Sequence, residues 1–213
     1  MTNADDGLLN PLIYGMSPPP LLVVISGPSG VGKDSILMRM RARQVPFHFV
    51  VTATSRGIRP GERDGYDYHF VTTEQFEELI RDDELIEWAE VYGQYKGVPK
   101  YEVRQALASG KDVVLRLDVQ GAATIKRLAP DAVSVFVMPG SLEELRIRLE
   151  TRKTELPGEI ERRLAIVREE LEQIRHFDYI VINRHDQLDY AVDQIVAIVM
   201  AEQRRVRPRC VSL

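Results

Sequence analysis

LLVVISGPSGVGKDS, residues 21–35, is the stretch on which the fold turns. Its first six residues form an apolar run, the pattern of a strand buried on both faces of a parallel sheet. The segment after it keeps the phosphate-loop pattern G-x-x-x-x-G-K-S/T through Gly27, Gly32 and Lys33, then departs from it. Asp34 stands where a hydroxyl is expected, and Ser35 comes one residue late. A loop of this shape turns successive backbone N–H groups toward one point, and the helix after it adds its positive end. Lys33 supplies a point charge for β- and γ-phosphates. Gly27, Pro28, Ser29, Gly30, Val31, Gly32, Lys33, Asp34 and Ser35 therefore form a candidate cradle for ATP. A carboxylate in a first helical turn is favoured by about 0.3–1 kcal/mol. One lying about 4 Å from a phosphate charge costs on the order of 4 kcal/mol at an effective dielectric of 20. Either Asp34 points away from the phosphates, or a magnesium ion lies between them with Asp34 and Ser35 among its ligands.

Working outward, apolar runs recur at 47–51, 112–118, 132–138 and 178–182. Helical stretches at 33–43, 101–109, 121–129, 141–152, 158–175 and 186–205 separate them. Ser141 with Glu144 forms a capping box that announces one helix start. Strand alternating with helix predicts a doubly wound α/β fold, a parallel sheet flanked by helices. Residues 54–100 break the rhythm with turns at Pro60-Gly61 and Asp64-Gly65, a helix capped by Thr72 with Gln75, and the strand-like LIEWAEV. They read as a lobe inserted between core strands. The expected division is a loose tail at 1–20, a core of 21–53 and 101–205, the insertion at 54–100 and a second tail at 206–213.

A chain of 213 residues suits one domain with a substantial core. The net charge of −4 argues against a general binder of nucleic acid or membrane surfaces, which needs a basic excess. Arginines nevertheless cluster at 56–63 and 146–163, which allows a local anion site. No stretch is long and apolar enough to span a bilayer, and the N-terminus lacks a signal-peptide profile. The single Cys210 excludes an internal disulfide framework and suits a reducing cytoplasm, the expected location. His48, His69, His176 and His185 show no ligand spacing. The final CVSL formally resembles a prenylation box, but Ser212 fits its aliphatic position poorly, and an unmodified tail is expected.

The insertion also carries TATSRGIRPGERDGYDYHFV at 52–71, and with it the chain resembles the guanylate kinase family. The likeness continues through LIEWAEVYGQYKGVPK (85–100), LDVQGA (117–122), RLETR (148–152), ERRL (161–164) and VIN (181–183), in the family's order and spacing. It implies a P-loop NTPase-type sheet, an inserted nucleotide-binding lobe for GMP and a helical lid at about 148–165. It assigns the GMP phosphate to Arg56, Arg59 and Tyr68, with a hydroxyl from Thr52. The chemistry agrees, since two guanidinium forks and a phenol can surround a dianion with directed hydrogen bonds. Glu87 falls where the family's acid reads the base: a carboxylate only accepts, and guanine's N1–H and N2–H₂ donate side by side. Asp118 matches an acid near the metal and the acceptor, and Asn183 a residue beside the adenine. Lys33, Arg56 and the lid arginines Arg148, Arg152 and Arg163 form the implied catalytic set. Three positions depart from the family: Val98 replaces a base-contacting hydroxyl, Lys96 a phosphate-reaching tyrosine, and Arg116 an acid.

The activity so implied is magnesium-dependent transfer from ATP to GMP, and to dGMP. The expected partners are small nucleotides, with no nucleic acid and no membrane, for a monomer or homodimer. Two other readings compete. Guanylate kinase-like domains also serve as non-catalytic binding modules, but these tend to lose the phosphate loop, whereas Lys33 and all three lid arginines are present here. Ribose 1,5-bisphosphate phosphokinases are a related group in which GKDS itself occurs. The block from Arg56 to Tyr68, with Glu87, weighs against that substrate.

Overall fold

The computed structural model, which describes residues 18–91, 93–151 and 159–211, is organised around a central strand whose five residues are all buried. The chain runs β1 (Leu22–Ser26), α1 (Lys33–Ala42), β2 (His48–Phe49), β3 (Ala53–Thr54), β4 (His69–Phe70), α2 (Thr73–Arg81), β5 (Leu85–Val91) and β6 (Gln94–Pro99). It continues through α3 (Lys100–Ala108), β7 (Val113–Arg116), α4 (Val119–Leu128), β8 (Val133–Pro139), α5 (Leu142–Thr151) and α6 (Glu159–Glu172). A 3₁₀ turn (Gln173–His176), β9 (Tyr179–Asn183) and α7 (Leu188–Glu202) complete it.

Alternation along β1 explains the layers. Val23 and Ile25 pack with Ile36 and Met40 of α1 and Val192 and Ile195 of α7. Leu22 and Val24 pack on the other face with Val103 of α3 and Ala122 and Ile125 of α4. A strand with both faces apolar is stable only between two helical layers, which is where a parallel sheet belongs. The sheet is parallel throughout, in the order β2-β7-β1-β8-β9.

The insertion builds a second sheet, β4-β3-β6-β5, in which β5 and β6 form an antiparallel hairpin. Its own small core is Ala53, Phe76 and Leu85. The expected capping box starts α2: Thr72 Oγ accepts from the Gln75 amide, and the Gln75 side chain accepts from the Thr72 amide. One expected helix starts earlier than its apolar pattern, because Asp118 caps α4 and Val119 is already helical.

The segment read as a C-terminal tail is anchored up to Val211, which packs on the core. Arg209 donates to the Glu202 carboxylate from Nε at 2.8 Å and Nη2 at 3.0 Å. Glu202, only 2% exposed, also accepts from the Tyr179 hydroxyl. Burial alone would raise the Glu202 carboxyl, but the bonds from Arg209 and Tyr179 hold it below the usual carboxylate range. An Arg209→Ala variant is therefore expected to lose about 2–3 kcal/mol at neutral pH, since Tyr179 and Arg205 remain as partners. The deficit should shrink as pH falls through the carboxylate range, where protonation removes the need for a cation. Urea unfolding at two pH values measures both effects, and a loss below about 0.5 kcal/mol would show the strap to be idle.

Candidate active site

Because β1 lies between β7 and β8, sheet order reverses beside it, and ligands of such sheets bind outside the carboxyl ends of the strands there. Those ends deliver the loop after Ser26, the segment Arg116–Asp118 and Asn183 to one edge. Two loop glycines are dictated by geometry. Gly27 has φ +136°, and a Cβ on it would lie 2.2 Å from the Val137 carbonyl oxygen. Gly32 has φ +98°, and a Cβ would meet Asn183 Nδ2 at 2.5 Å.

The loop is braced from several elements. Lys33 Nζ donates to the carbonyls of Gly27 and, at 3.0 Å, Pro28. Asn183, buried at the end of β9, donates from Nδ2 to the Val31 carbonyl at 2.9 Å. Arg148 of α5 donates to the same carbonyl at 3.0 Å and to that of Asn183 at 2.9 Å. Glu170 of α6, unremarked in the sequence, accepts from the Ser29 amide at 3.2 Å. Leu145 and Leu149 join Val167 to pack α5 on α6. Of the expected lid arginines, Arg148 thus lies at the loop. Arg152 lies outside the described residues, as does the side chain of Arg163.

In the insertion, Arg56 is 7% exposed and is gripped by Glu62, a residue whose role the sequence did not reveal. Nη1 donates to Glu62 Oε2 at 2.7 Å and to the Gly57 carbonyl at 2.8 Å, while Nη2 meets Oε1. The same carboxylate accepts from the Arg59 amide at 2.8 Å and is held below the usual range by its bond to Arg56. The Arg56 guanidinium lies 4.9 Å from the centre of the Tyr68 ring, and the Arg59 residue is exposed. Thr52 is buried and its carbonyl accepts from the His69 amide at 2.9 Å. Lys96 is exposed as a residue, yet partial desolvation, and then the charges of Arg56 and Arg59, lower its ammonium from the ordinary range.

Glu87 on β5 sits opposite Val98 on β6. Val98 is fully buried and packs with Ile86 and Val103, so it belongs to the core. The Glu87 carboxylate presses on α4, where a Cβ on Gly121 would lie 2.9 Å from Oε2. Gly121, part of the LDVQGA block, is thus needed for space. Asp118 accepts from the Gly121 amide at 2.8 Å as the cap of α4. Burial first, and then the Asp118 charge, pushes the Glu87 carboxyl up to about 7. The two departures at Asp34 and Arg116 meet: Asp34 ion-pairs with Arg116, which also donates to the Tyr68 hydroxyl at 2.7 Å. Ser35 is exposed on α1.

The fold and loop define an α/β phosphate-loop protein with an inserted second lobe, the architecture of nucleoside monophosphate kinases. Residues 20–202 match the family model for guanylate kinase. The chain is 48% identical over 197 residues to guanylate kinase 2, chloroplastic/mitochondrial, of Oryza sativa subsp. japonica, covering 92% of this chain and 69% of that one. It is 49% identical over 181 residues to the guanylate kinase of Gloeobacter violaceus, covering 85% and 87%. A crystal structure of guanylate kinase from Anaplasma phagocytophilum matches it with a TM-score of 0.68 at 30% identity over 87% of each chain. The chain belongs to the guanylate kinase family.

A raised carboxyl in the folded state makes folding bind a proton more tightly than the unfolded chain does. The Glu87 contribution is thus favourable below the ordinary carboxylate range and is lost as pH rises through about 7. Glu87→Gln, neutral at every pH, is expected to stabilise the fold by about 1–3 kcal/mol at pH 8 and by little at pH 4. Thermal melts across that interval check this, and a pH-independent difference would show that the carboxyl does not titrate in place.

Proposed function

We propose that this chain catalyses ATP + GMP ⇌ ADP + GDP, with dGMP as a second acceptor. The observation that carries this reading is the buried Arg56, fixed by Glu62 against the Tyr68 ring, in a chain that keeps Lys33 in its phosphate loop. A binding module needs no such lysine, and a ribose phosphate needs no carboxylate to read a base.

Loop amides and Lys33 bind the ATP phosphates, with Asn183 beside the adenine. Arg56, Arg59, Lys96 and Tyr68 bind the GMP phosphate, and Glu62 keeps Arg56 from swinging away. Ionised Glu87 accepts from guanine's N1–H and N2–H₂, whereas adenine's N1 is itself an acceptor and is refused. An oxygen of the GMP phosphate attacks the γ-phosphorus, the bond to the β,γ-bridging oxygen breaks, and ADP leaves with that electron pair. No covalent protein chemistry is required, so catalysis is positioning plus positive charge. Arg148 supplies that charge next to the loop, and Arg152 and Arg163 are proposed to join it from the lid.

Among the described residues no group of three or more His, Cys, Asp or Glu side chains could hold a metal ion. Magnesium carried on ATP keeps most of its waters and takes one or two protein ligands. Ser35 and Asp118 would hold it, Asp34 being engaged by Arg116. Magnesium so held would supply positive charge that offsets the charge developing on the phosphates. We assign the reaction to the cytoplasm, which the exposed, unpaired Cys210 suits. Among the described residues, no helix is long and apolar enough to cross a membrane.

An ADP-release assay with ATP and GMP, dGMP, AMP, UMP or ribose 1,5-bisphosphate tests the assignment. GMP and dGMP should exceed every other acceptor by about 10²-fold or more in kcat/KM, the effect of an unmatched buried polar group. Lys33→Ala should lower kcat by about 10²-fold or more without unfolding the chain. Equal use of AMP and GMP, or a fully active Lys33→Ala variant, would remove the assignment.

A further inference from the structure

Asp34, where the chain leaves the phosphate-loop pattern, and Arg116, where it leaves the family's, are 82 residues apart in sequence and in contact in space. β7 pairs directly with β1, with Ile25 opposite Arg116, so the strand that ends in this arginine lies beside the strand that runs into the phosphate loop. One guanidinium nitrogen, Nη1, pairs with the Asp34 carboxylate next to Lys33. The other, Nη2, donates to the Tyr68 hydroxyl at 2.7 Å, and the group lies 5.1 Å from the centre of the Tyr68 ring. Arg116 is the more enclosed partner, with 22% of its side chain exposed against 60% for Asp34. A single side chain thus joins the residue after the loop lysine to the phenol of the acceptor lobe.

We propose that Arg116 is a positioning residue shared by both nucleotide sites, an inference that rests on the kinase reading above. One arm neutralises Asp34, so that the loop accepts a polyphosphate despite a carboxylate in its pattern. The pair carries no net charge, as a hydroxyl at position 34 would carry none. The other arm fixes the Tyr68 hydroxyl toward the acceptor phosphate. Arginine suits both tasks because its planar fork reaches two partners in fixed directions, which a lysine ammonium on a flexible stem cannot.

The two arms are separable by kinetics on wild type, Asp34→Ser, Arg116→Gln and the double variant at saturating magnesium. Arg116→Gln strands Asp34 beside the phosphates and should raise KM for ATP about tenfold or more, together with KM for GMP. Adding Asp34→Ser should return KM for ATP to within about threefold of wild type while KM for GMP stays raised. Asp34→Ser alone should lower KM for ATP, since Arg116 then faces the phosphates unopposed. A general structural role would raise both constants and allow no rescue. An unchanged KM for ATP in Arg116→Gln, or one equally raised in the double variant, overturns the proposal. If Arg116→Gln does not fold, Arg116→Lys takes its place: KM for GMP should rise with KM for ATP near wild type, and an equal rise in both overturns it. Absence of any GMP-dependent ADP release in wild type would sink the kinase reading alone. Calorimetric titration of ATP onto the same chains would still decide the Asp34 arm.

Discussion

Bringing a phosphate dianion against the end of a polyphosphate sets like charges a few ångströms apart, each pair costing on the order of 4 kcal/mol at an effective dielectric of 20. On the reading proposed above, cations that offset this repulsion are in place before the substrates arrive, and the architecture holds each with an anionic or carbonyl partner. Lys33 rests on the carbonyls of Gly27 and Pro28, Arg56 on Glu62, Arg116 on Asp34, and Arg148 on the carbonyls of Val31 and Asn183. Such partners keep long, flexible side chains from dispersing into solvent. They also bring charge to the site without leaving it bare, which an enclosed site could not tolerate.

The sheet makes that arrangement rigid. Its central strand is buried on both faces, so the register of β1 against β7 and β8 leaves little freedom to the loops beyond their carboxyl ends. The acceptor lobe has a separate small core, and its contact with the main body includes the Glu87 carboxylate wedged against Gly121. There stability and function pull in opposite directions. Burying an acid near Asp118 strains the fold at the pH where its ionised form is proposed to read the base.

Much of this was legible in the sequence, for reasons that also mark its limits. The apolar run into GPSGVGK identifies β1 and the loop because burial on two faces and the glycine positions leave local signatures. The capping box at Thr72 and Gln75 is likewise local. β3 and β4, two residues each, leave none, because they exist only through pairing with each other and with β6. In the site, the arginine–tyrosine block was readable as a motif, but Glu62 as the grip on Arg56 and Gly121 as room for Glu87 were not. The choice posed for Asp34, solvent or metal, omitted the answer that the sheet supplies: a cation from a neighbouring strand. The anchoring of the C-terminal segment escaped notice for a similar reason, since Glu202 reads as one more surface acid until the fold buries it.

The central claim is that loop and lobe hold two nucleotides end to end at one site. Calorimetric titration with a bisubstrate analogue, adenosine and guanosine joined 5′ to 5′ through five phosphates, tests it most directly. One analogue should bind per chain, about 100-fold tighter than ATP or GMP alone, because the second half binds at high effective concentration. Binding no tighter than ATP, or two analogues per chain, would mean that the two halves do not face each other.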